Sequence, residues 1–422
     1  MSVAFWTAWR TLRSRLGAVL ITLLAIALAT ATALVVPLVV SQVERGAKDA
    51  AQVSDLLIAA PGSATQALMS SIFYLDTPTG NIPEHVYTNL LNAPGTARAV
   101  PLALGDQYLG FPIVGTSPQF FEQTLGPTYG PYYHIAQGKM FSQPFDAVIG
   151  AGVAQQAGLH IGDTFVGQHG LSAEEASFEA EEEDENDPHH HPFTVVGIMQ
   201  ATGGPADRAV LTPLETVWLV HEHEHEHGDQ AAQPAETQQA GKKEEREVTA
   251  VLYAADDLSG IYTTAAAINA GGEAMAVFPG QVFAQASNTL NQGQAAYAAL
   301  SLLVLGIAAL TVWLSVYTAG LERQRSVALL RALGAGRGTV FGLVLLETLL
   351  TVVLGVLVGI ALTLIISQVG GQLLGARLGF TIGAPKLTWP LALWALALIP
   401  LGALAALPPA IAATRQSPVK FL

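Results

Sequence analysis

Four stretches of this chain are apolar enough and long enough to cross a lipid bilayer, which takes about 20 helical residues. They leave little freedom in what the chain can fold into. Leu16 to Val43, Ala295 to Leu321 and Leu387 to Thr414 carry no charge, and Thr339 to Ile366 is interrupted only by Glu347. Backbone amides inside a bilayer must be bonded within their own segment, so the runs are read as four transmembrane α-helices over 17–40, 295–321, 339–366 and 389–413. The composition agrees, with 51% of residues hydrophobic and 12% charged. The first run is about twice the 7–15 apolar residues of a signal peptide and is read as an uncleaved helix.

The positive charges orient these spans. Arg10, Arg13 and Arg15 precede the first, Arg323, Arg325, Arg331 and Arg337 follow the second, and Arg415 and Lys420 follow the fourth. Glu322 is the one acidic residue among them. Basic flanks stay on the cytoplasmic side, so both termini and the connector 322–338 are expected inside a bacterial inner membrane. Segments 41–294 and 367–388 are then expected outside, the former in the periplasm, and 414–422 forms a cytoplasmic tail. Before the first span, Phe5, Trp9, Leu12 and Leu16 share one helical stripe, which predicts an amphipathic helix over 1–16 lying among the lipids of the inner face.

Segment 41–294 holds 31 of the 33 acidic residues, 8 of the 19 lysines and arginines and all 11 histidines. That acidity disfavours nucleic acid as a partner. The chain has no cysteine, so no disulfide framework exists. At about 250 residues the segment is large enough for two subdomains. Short β-patterned runs recur in it at Ala99 to Leu104, Tyr108 to Val114, Ala147 to Ile149, Thr164 to Val166, Phe193 to Ile198, Val248 to Tyr253 and Ala274 to Phe278. Helical patterns lie between them at Glu84 to Asn92, Pro118 to Thr124, Val153 to Leu159, Pro213 to Val220 and Asp256 to Asn269. The expected fold is therefore a four-helix membrane protein with a large extracytoplasmic α+β domain inserted between the first and second helices.

The connector carries the most specific signal. From Glu322 to Leu333 helix formers dominate, with Val327, Leu330 and Leu333 on one stripe, Arg323, Arg325 and Arg331 in the same segment, and Gly334 as a terminator. Such a helix can insert its stripe into a groove of a cytoplasmic protein and pair its arginines with acidic residues there; read alone, the same segment is also an ordinary topogenic loop. The run Glu322-Arg-Gln-Arg-Ser-Val-Ala-Leu-Leu-Arg-Ala-Leu-Gly-Ala335, followed by Val344-Leu-Leu-Glu-Thr-Leu-Leu350 and Gly355, resembles the C-terminal signature of FtsX-like ABC transporter permeases. The tail from Pro409 to Leu422 resembles that family's closing pattern, and Val148 to Asp163 with Phe193 to Met199 resemble a MacB-like periplasmic core.

The resemblance implies a non-catalytic permease that couples through its connector to a separate cytoplasmic ABC ATPase dimer, beside a second permease copy that makes a homodimer. No Gly-x-x-x-x-Gly-Lys-Ser/Thr phosphate loop occurs in the chain, which independently assigns ATP hydrolysis to another protein. Glu347 is the one ionisable side chain within a span and is read as structural rather than as a proton relay, because no second intramembrane group could pass a proton on. The spans offer no polar lining for a hydrophilic solute, which favours mechanotransmission, the relay of ATP-driven motion to the exterior domain. The FtsX-like alternatives are regulation of an exterior cell-wall enzyme and extraction of lipoprotein or lipid.

Two insertions depart from the family pattern, and both are expected to be mobile loops, 172–191 and 221–247. The first ends in an acidic run followed by His189, His190 and His191; the second opens with His221, His223, His225 and His227 alternating with glutamates. Such tracts offer imidazole ligands to Zn²⁺, Ni²⁺ or Cu²⁺. No intrinsic cofactor is expected, only transient metal capture related to zinc transport and a periplasmic carrier or adaptor as a further partner. The competing reading is a solvated loop that binds metal incidentally.

Overall fold

The computed structural model describes residues 16–126, 128–170, 191–220, 246–290, 294–322, 336–378 and 389–415. The chain divides into a unit of apolar helices and an α+β unit built on Val43–Leu290. In chain order the elements are α1 (Leu16–Ala50), β1 (Leu56–Ala59), α2 (Ala64–Ser71), β2 (Ile82–Pro83), α3 (Glu84–Asn92), β3 (Thr96–Tyr108), β4 (Phe111–Thr116), β5 (Ile135–Gly138), β6 (Asp146–Ile149), α4 (Ala151–Ala157), β7 (Thr164–Phe165) and β8 (Gln168–His169). They continue with β9 (Phe193–Met199), β10 (Val210–Pro213), α5 (214–220), β11 (Glu247–Val248), β12 (Ala250–Ala255), α6 (Leu258–Gly271), β13 (Met275–Val277), α7 (Pro279–Leu290), α8 (Gln294–Glu322), α9 (Arg337–Leu378) and α10 (Trp389–Arg415).

Among the described residues, three helices are long and apolar enough to cross a membrane, over Val19–Ala50, Arg337–Gly370 and Leu391–Pro408. The expected second span falls on α8, within which Leu302–Thr318 forms a shorter apolar stretch. These helices share a core of small and branched side chains: Ile26, Ala29, Ala33 and Leu34 of α1, Ala308, Val312 and Val316 of α8, Val352 and Val356 of α9, and Ala395, Leu398, Ala405 and Ala406 of α10. On α1, Leu20, Ile21, Leu24 and Leu28 are exposed, as a lipid-facing stripe should be. Two helices outrun their expected spans. α1 continues ten residues past Val40 to Ala50, and α9 continues twelve past Ile366 to Leu378, so the first part of the 367–388 loop is helical.

The α+β unit is organised by one sheet in the order β13-β1-β12-β3-β4-β10-β6-β9-β5, with β7 added on β9 and β8 on β3. Most neighbours are antiparallel; β10 with β4 and β6 with β9 are parallel. β11 pairs with β2 in a separate two-stranded sheet, while the main sheet runs through the unit. Each face carries its own core. Alternation along β1 sends Leu57 and Ala59 into a cluster with Leu68, Val100, Phe120 and Leu252, and sends Leu56 and Ile58 into one with Val86, Leu90, Val251 and Tyr253.

Local chemistry explains the element ends. Asp257 caps α6 by accepting from the Gly260 amide at 2.6 Å, and Gly272 at φ 77° closes it. Tyr108 to Val114 is not the single strand expected of it. Leu109 and Gly110 both take left-handed φ, 51° and 80°, and form the two-residue turn between β3 and β4.

Candidate functional site

Among the described residues, helices pack most closely where glycines leave no side chain between their backbones. On α9 a four-residue period places Glu347, Thr351, Gly355, Gly359, Thr363 and Ser367 along one stripe. α1 presents Ile26, Thr30 and Gln42 to it. A Cβ built on Gly355 would stand 2.7 Å from Ile26 Cγ2, and one on Gly359 would stand 2.5 Å from Thr30 Cβ and 2.8 Å from the Ala27 carbonyl oxygen. Farther along, Gln42 Nε2 donates to Ser367 Oγ at 3.4 Å. The partner positions rise together along both chains, so the two helices run parallel with their backbones in close approach, the geometry that a Gly-x-x-x-Gly pair permits. α10 meets α9 in the same way, since a Cβ on Gly402 would fall 2.7 Å from Val352 Cγ1.

This seam corrects the expectation of membrane helices almost free of polar groups. Thr30, Thr351, Thr363 and Ser367 are all buried. They nevertheless supply no lining for a solute. Thr30 donates its hydroxyl to the Ile26 carbonyl at 2.8 Å, Thr351 to that of Glu347 at 2.9 Å and Thr363 to that of Gly359 at 2.8 Å. A hydroxyl bonded one turn back is satisfied by its own helix. The Glu347 side chain lies on the same stripe and is 5% exposed.

The last residues of α1, from Val43 on, belong to the α+β unit and pack within it. A Cβ on Gly46 would stand 2.6 Å from the Gly203 carbonyl carbon, so only a glycine lets the helix rest directly on the 203–204 backbone. Asp207 shapes that loop. It is fully buried, its Oδ1 accepts from the Thr202 amide and hydroxyl at 2.9 Å each, and its Oδ2 accepts from the Gly203 amide at 2.8 Å. The carboxylate thus bonds the backbone of its own Gly-rich turn and sets the surface on which the end of α1 sits. The Tyr132 hydroxyl lies beside Gly204, 3.7 Å from where a Cβ there would stand. Desolvation first, then the charges of Asp49 and Asp207, push its hydroxyl up to about 12, so it stays protonated and neutral beside the carboxylate at ordinary pH.

The next residues, Ala47 and Ala50 of α1 and Ala51 just after it, enter the aromatic core of Phe120, Phe121, Tyr133 and Phe141. Val282 and Phe283 of α7, the helix that leads back toward α8, pack against the same core, and Phe283 stacks on Phe73 with centroids 6.0 Å apart. Both chain connections to the membrane helices thus root in one cluster. Asp207→Ala is expected to destabilise the α+β unit by about 3 kcal/mol, because it leaves buried amide and hydroxyl donors unsatisfied. A thermal melt of the purified protein checks this, with a fall of roughly 5–10 °C; Asp207→Asn, which keeps one acceptor, should fall between the two. An unchanged melt for the alanine variant would mean that the loop holds its shape without the carboxylate.

The residues singled out from sequence are placed unevenly. Glu322 is the last residue of α8, while Arg323, Arg325, Val327, Leu330, Arg331 and Leu333 lie outside the described residues. So do His189, His190, His221, His223, His225 and His227. His191 is exposed, with its ring centroid 5.2 Å from that of Phe145. Among the described residues no group of three or more histidine and acidic side chains could hold a metal ion. Sequence reading missed the seam and the Gly46 joint; the Gly-x-x-x-Gly spacing at Gly355 and Gly359 was the available signal for the first.

Comparison with known proteins bears on the whole chain. The MacB-like periplasmic core domain family matches residues 19–270, and the FtsX-like permease C-terminal family matches residues 298–418. Two solved structures are similar to part of it. The extracellular domain of the noncanonic ABC-type transporter YknZ from Gram-positive bacteria is 9% identical with TM-score 0.31, covering 53% of this chain and 98% of that one. The periplasmic region of MacB from Actinobacillus actinomycetemcomitans is 10% identical with TM-score 0.32, covering 55% and 92%. No curated protein matches the sequence.

Proposed function

The chain belongs to the FtsX/MacB-type ABC transporter permeases, and we propose that it works by mechanotransmission, relaying ATP hydrolysis in a separate cytoplasmic ATPase dimer to its periplasmic domain. The observation that carries this reading is α1, an unbroken helix of 35 residues, or about 52 Å, against a hydrocarbon core of about 30 Å. Its far end is seated at Gly46 on the loop that Asp207 holds. α1 packs on α9 within the helical unit and at Gly46 within the α+β unit, and in this proposal displacement passes along it without an open pore. The self-satisfied threonines support the same reading, since they leave no polar track for a solute.

In this proposal α8 completes the four spans as the second of them, both termini are cytoplasmic, the 322–338 connector docks on the ATPase, and two permease copies form a homodimer. The chain contains no cysteine, so Asn92→Cys at the exposed end of α3 gives one spin label per copy. With the ATPase present in lipid nanodiscs, vanadate trapping is expected to shift the inter-label distance by several ångströms. An identical distance distribution with and without trapped nucleotide would overturn the relay.

The cargo or signal is proposed to be related to a transition metal, zinc foremost, captured by the two histidine-rich insertions. Their composition supports this, and so does the chain's local connectivity. His191 packs on Phe145, the Phe145 amide donates to Thr216 Oγ1 at 3.1 Å, and Thr216 lies on the helix that leads into His221. Deleting 179–190 and 221–227 while sparing His191 is expected to slow growth under zinc chelation and leave membrane assembly intact. Unchanged growth would remove the metal from the proposal.

A further inference from the structure

A groove of about 440 Å³ opens in the α+β unit between α3, the turn Pro118–Glu122 and α5. This is the size of a small-molecule site. Its walls carry the rings of Tyr87, Phe141 and Trp218, and among the described residues its charged lining is Glu84 and Glu215, with the Arg246 guanidinium against the Trp218 ring. The Ser117 hydroxyl also lines it, with its oxygen buried and without a hydrogen-bond partner among the described residues. A buried polar atom left without a partner is uncommon and costly, so the groove wall presents an unmet polar demand beside two carboxylates and three aromatic rings.

The rim is held in place from several directions. Asp146 accepts from the amides of Ser142 and Gln143 at 2.8 and 3.0 Å, which fixes the loop carrying Phe141. Thr216 of α5 accepts from the Phe145 amide at 3.1 Å. At the other wall the Glu84 amide donates to the Arg246 carbonyl at 2.7 Å, and Trp218 Nε1 donates to the Glu247 carbonyl at 2.8 Å. The groove is therefore formed before any ligand arrives, which lowers the cost of binding. Desolvation, followed by the charges of Glu215 and Glu84, holds the Tyr87 hydroxyl above its usual range, so it remains a neutral donor on an electronegative wall. The Trp218 ring already accepts a cation, since the Arg246 guanidinium carbon stands 4.9 Å from its centroid.

We infer that this groove binds a small organic cation, an amine or guanidine carried on an apolar body, with the aromatic rings taking the body, Glu84 and Glu215 taking the charge and Ser117 accepting one N–H. Each part of the lining is then used: aromatic faces attract cations and cover apolar surface. The inference is independent of the relay through the membrane helices, and its failure would leave that reading as it stands.

The test is calorimetric titration of the full-length protein in detergent with 2-phenylethylammonium chloride, using the neutral isostere 2-phenylethanol as control. Saturable one-to-one binding of the ammonium is expected, with the alcohol at least tenfold weaker and affinity falling as salt is raised. Glu215→Gln and Glu84→Gln should each weaken binding by roughly fivefold, and Trp218→Leu by roughly tenfold. If the tryptophan variant does not fold, the Glu84→Gln/Glu215→Gln pair decides, because both side chains reach the groove edge and the amide keeps their shape. Equal affinity for the alcohol, undiminished binding in the double glutamine variant, or no binding of the ammonium would each overturn the assignment.

Discussion

Gly359→Leu is expected to separate ATP hydrolysis from movement of the periplasmic domain. The new side chain would meet the Thr30 Cβ at 2.5 Å and the Ala27 carbonyl oxygen at 2.8 Å before its outer carbons are even placed. A flexible side chain could turn away, but a backbone carbonyl in a continuous helix cannot. α1 and α9 must therefore part over several turns. Overpacking of a tight core costs about 1–3 kcal/mol, and the loss here extends to the Gln42–Ser367 hydrogen bond farther along the seam. Insertion depends on hydropathy, which leucine raises, so the variant should still reach the membrane. With the ATPase bound, nucleotide turnover should persist, while the vanadate-induced change at a label on residue 92 disappears. Gly342→Leu is the matched control, because a Cβ at Gly342 meets nothing within 4 Å. If both leucine variants keep the distance change, the seam is packing without a role in transmission.

That seam shows why part of the fold could be read in advance and part could not. α3 was legible to its ends, Glu84 and Asn92, because Val86 and Leu90 repeat at helical spacing and both are buried. β9 was legible because apolar and β-branched residues run through Phe193–Met199. β1 and β10 were missed. Each is four residues long and buried throughout, so no alternation marks it. The β3–β4 hairpin was missed because Leu109 occupies a left-handed position that leucine seldom takes. On α9 the threonines and glycines are near-neutral in hydropathy and vanish into an apolar average; only a partner helix gives their period meaning. The Gly46 joint is less visible still, since its partner Gly203 lies 157 residues away and nothing in either neighbourhood names the other. The family was the opposite case, since the connector run Glu322 to Ala335 already carried the resemblance to the FtsX-like permeases to which the chain belongs.

Replacing Arg323, Arg325 and Arg331 together with glutamate is expected to abolish association with the ATPase. The change reverses three charges within nine residues of one connector. If the arginines meet carboxylates on the partner, each attraction becomes a repulsion, and truncation of a single close charge pair at an interface already costs about 2–5 kcal/mol. Three reversals put the loss beyond a hundredfold. The same arginines also help to orient the chain, so a bare loss of binding could reflect inverted topology. Two features separate the causes. Arg10, Arg13, Arg15, Arg337, Arg415 and Lys420 remain in the variant, enough positive charge to hold the cytoplasmic face, and a cysteine placed in the tail reports its side of the membrane against no native background. A pull-down from membranes in which that tail is still cytoplasmic then measures docking alone. Changing Val327 and Leu330 to aspartate should break docking as well, by removing the apolar stripe while leaving the arginines in place, and a purely topogenic loop would tolerate it. Retained ATPase in the correctly oriented glutamate variant would mean that the connector only sets topology, and the input of force would then have to be sought in residues 1–15.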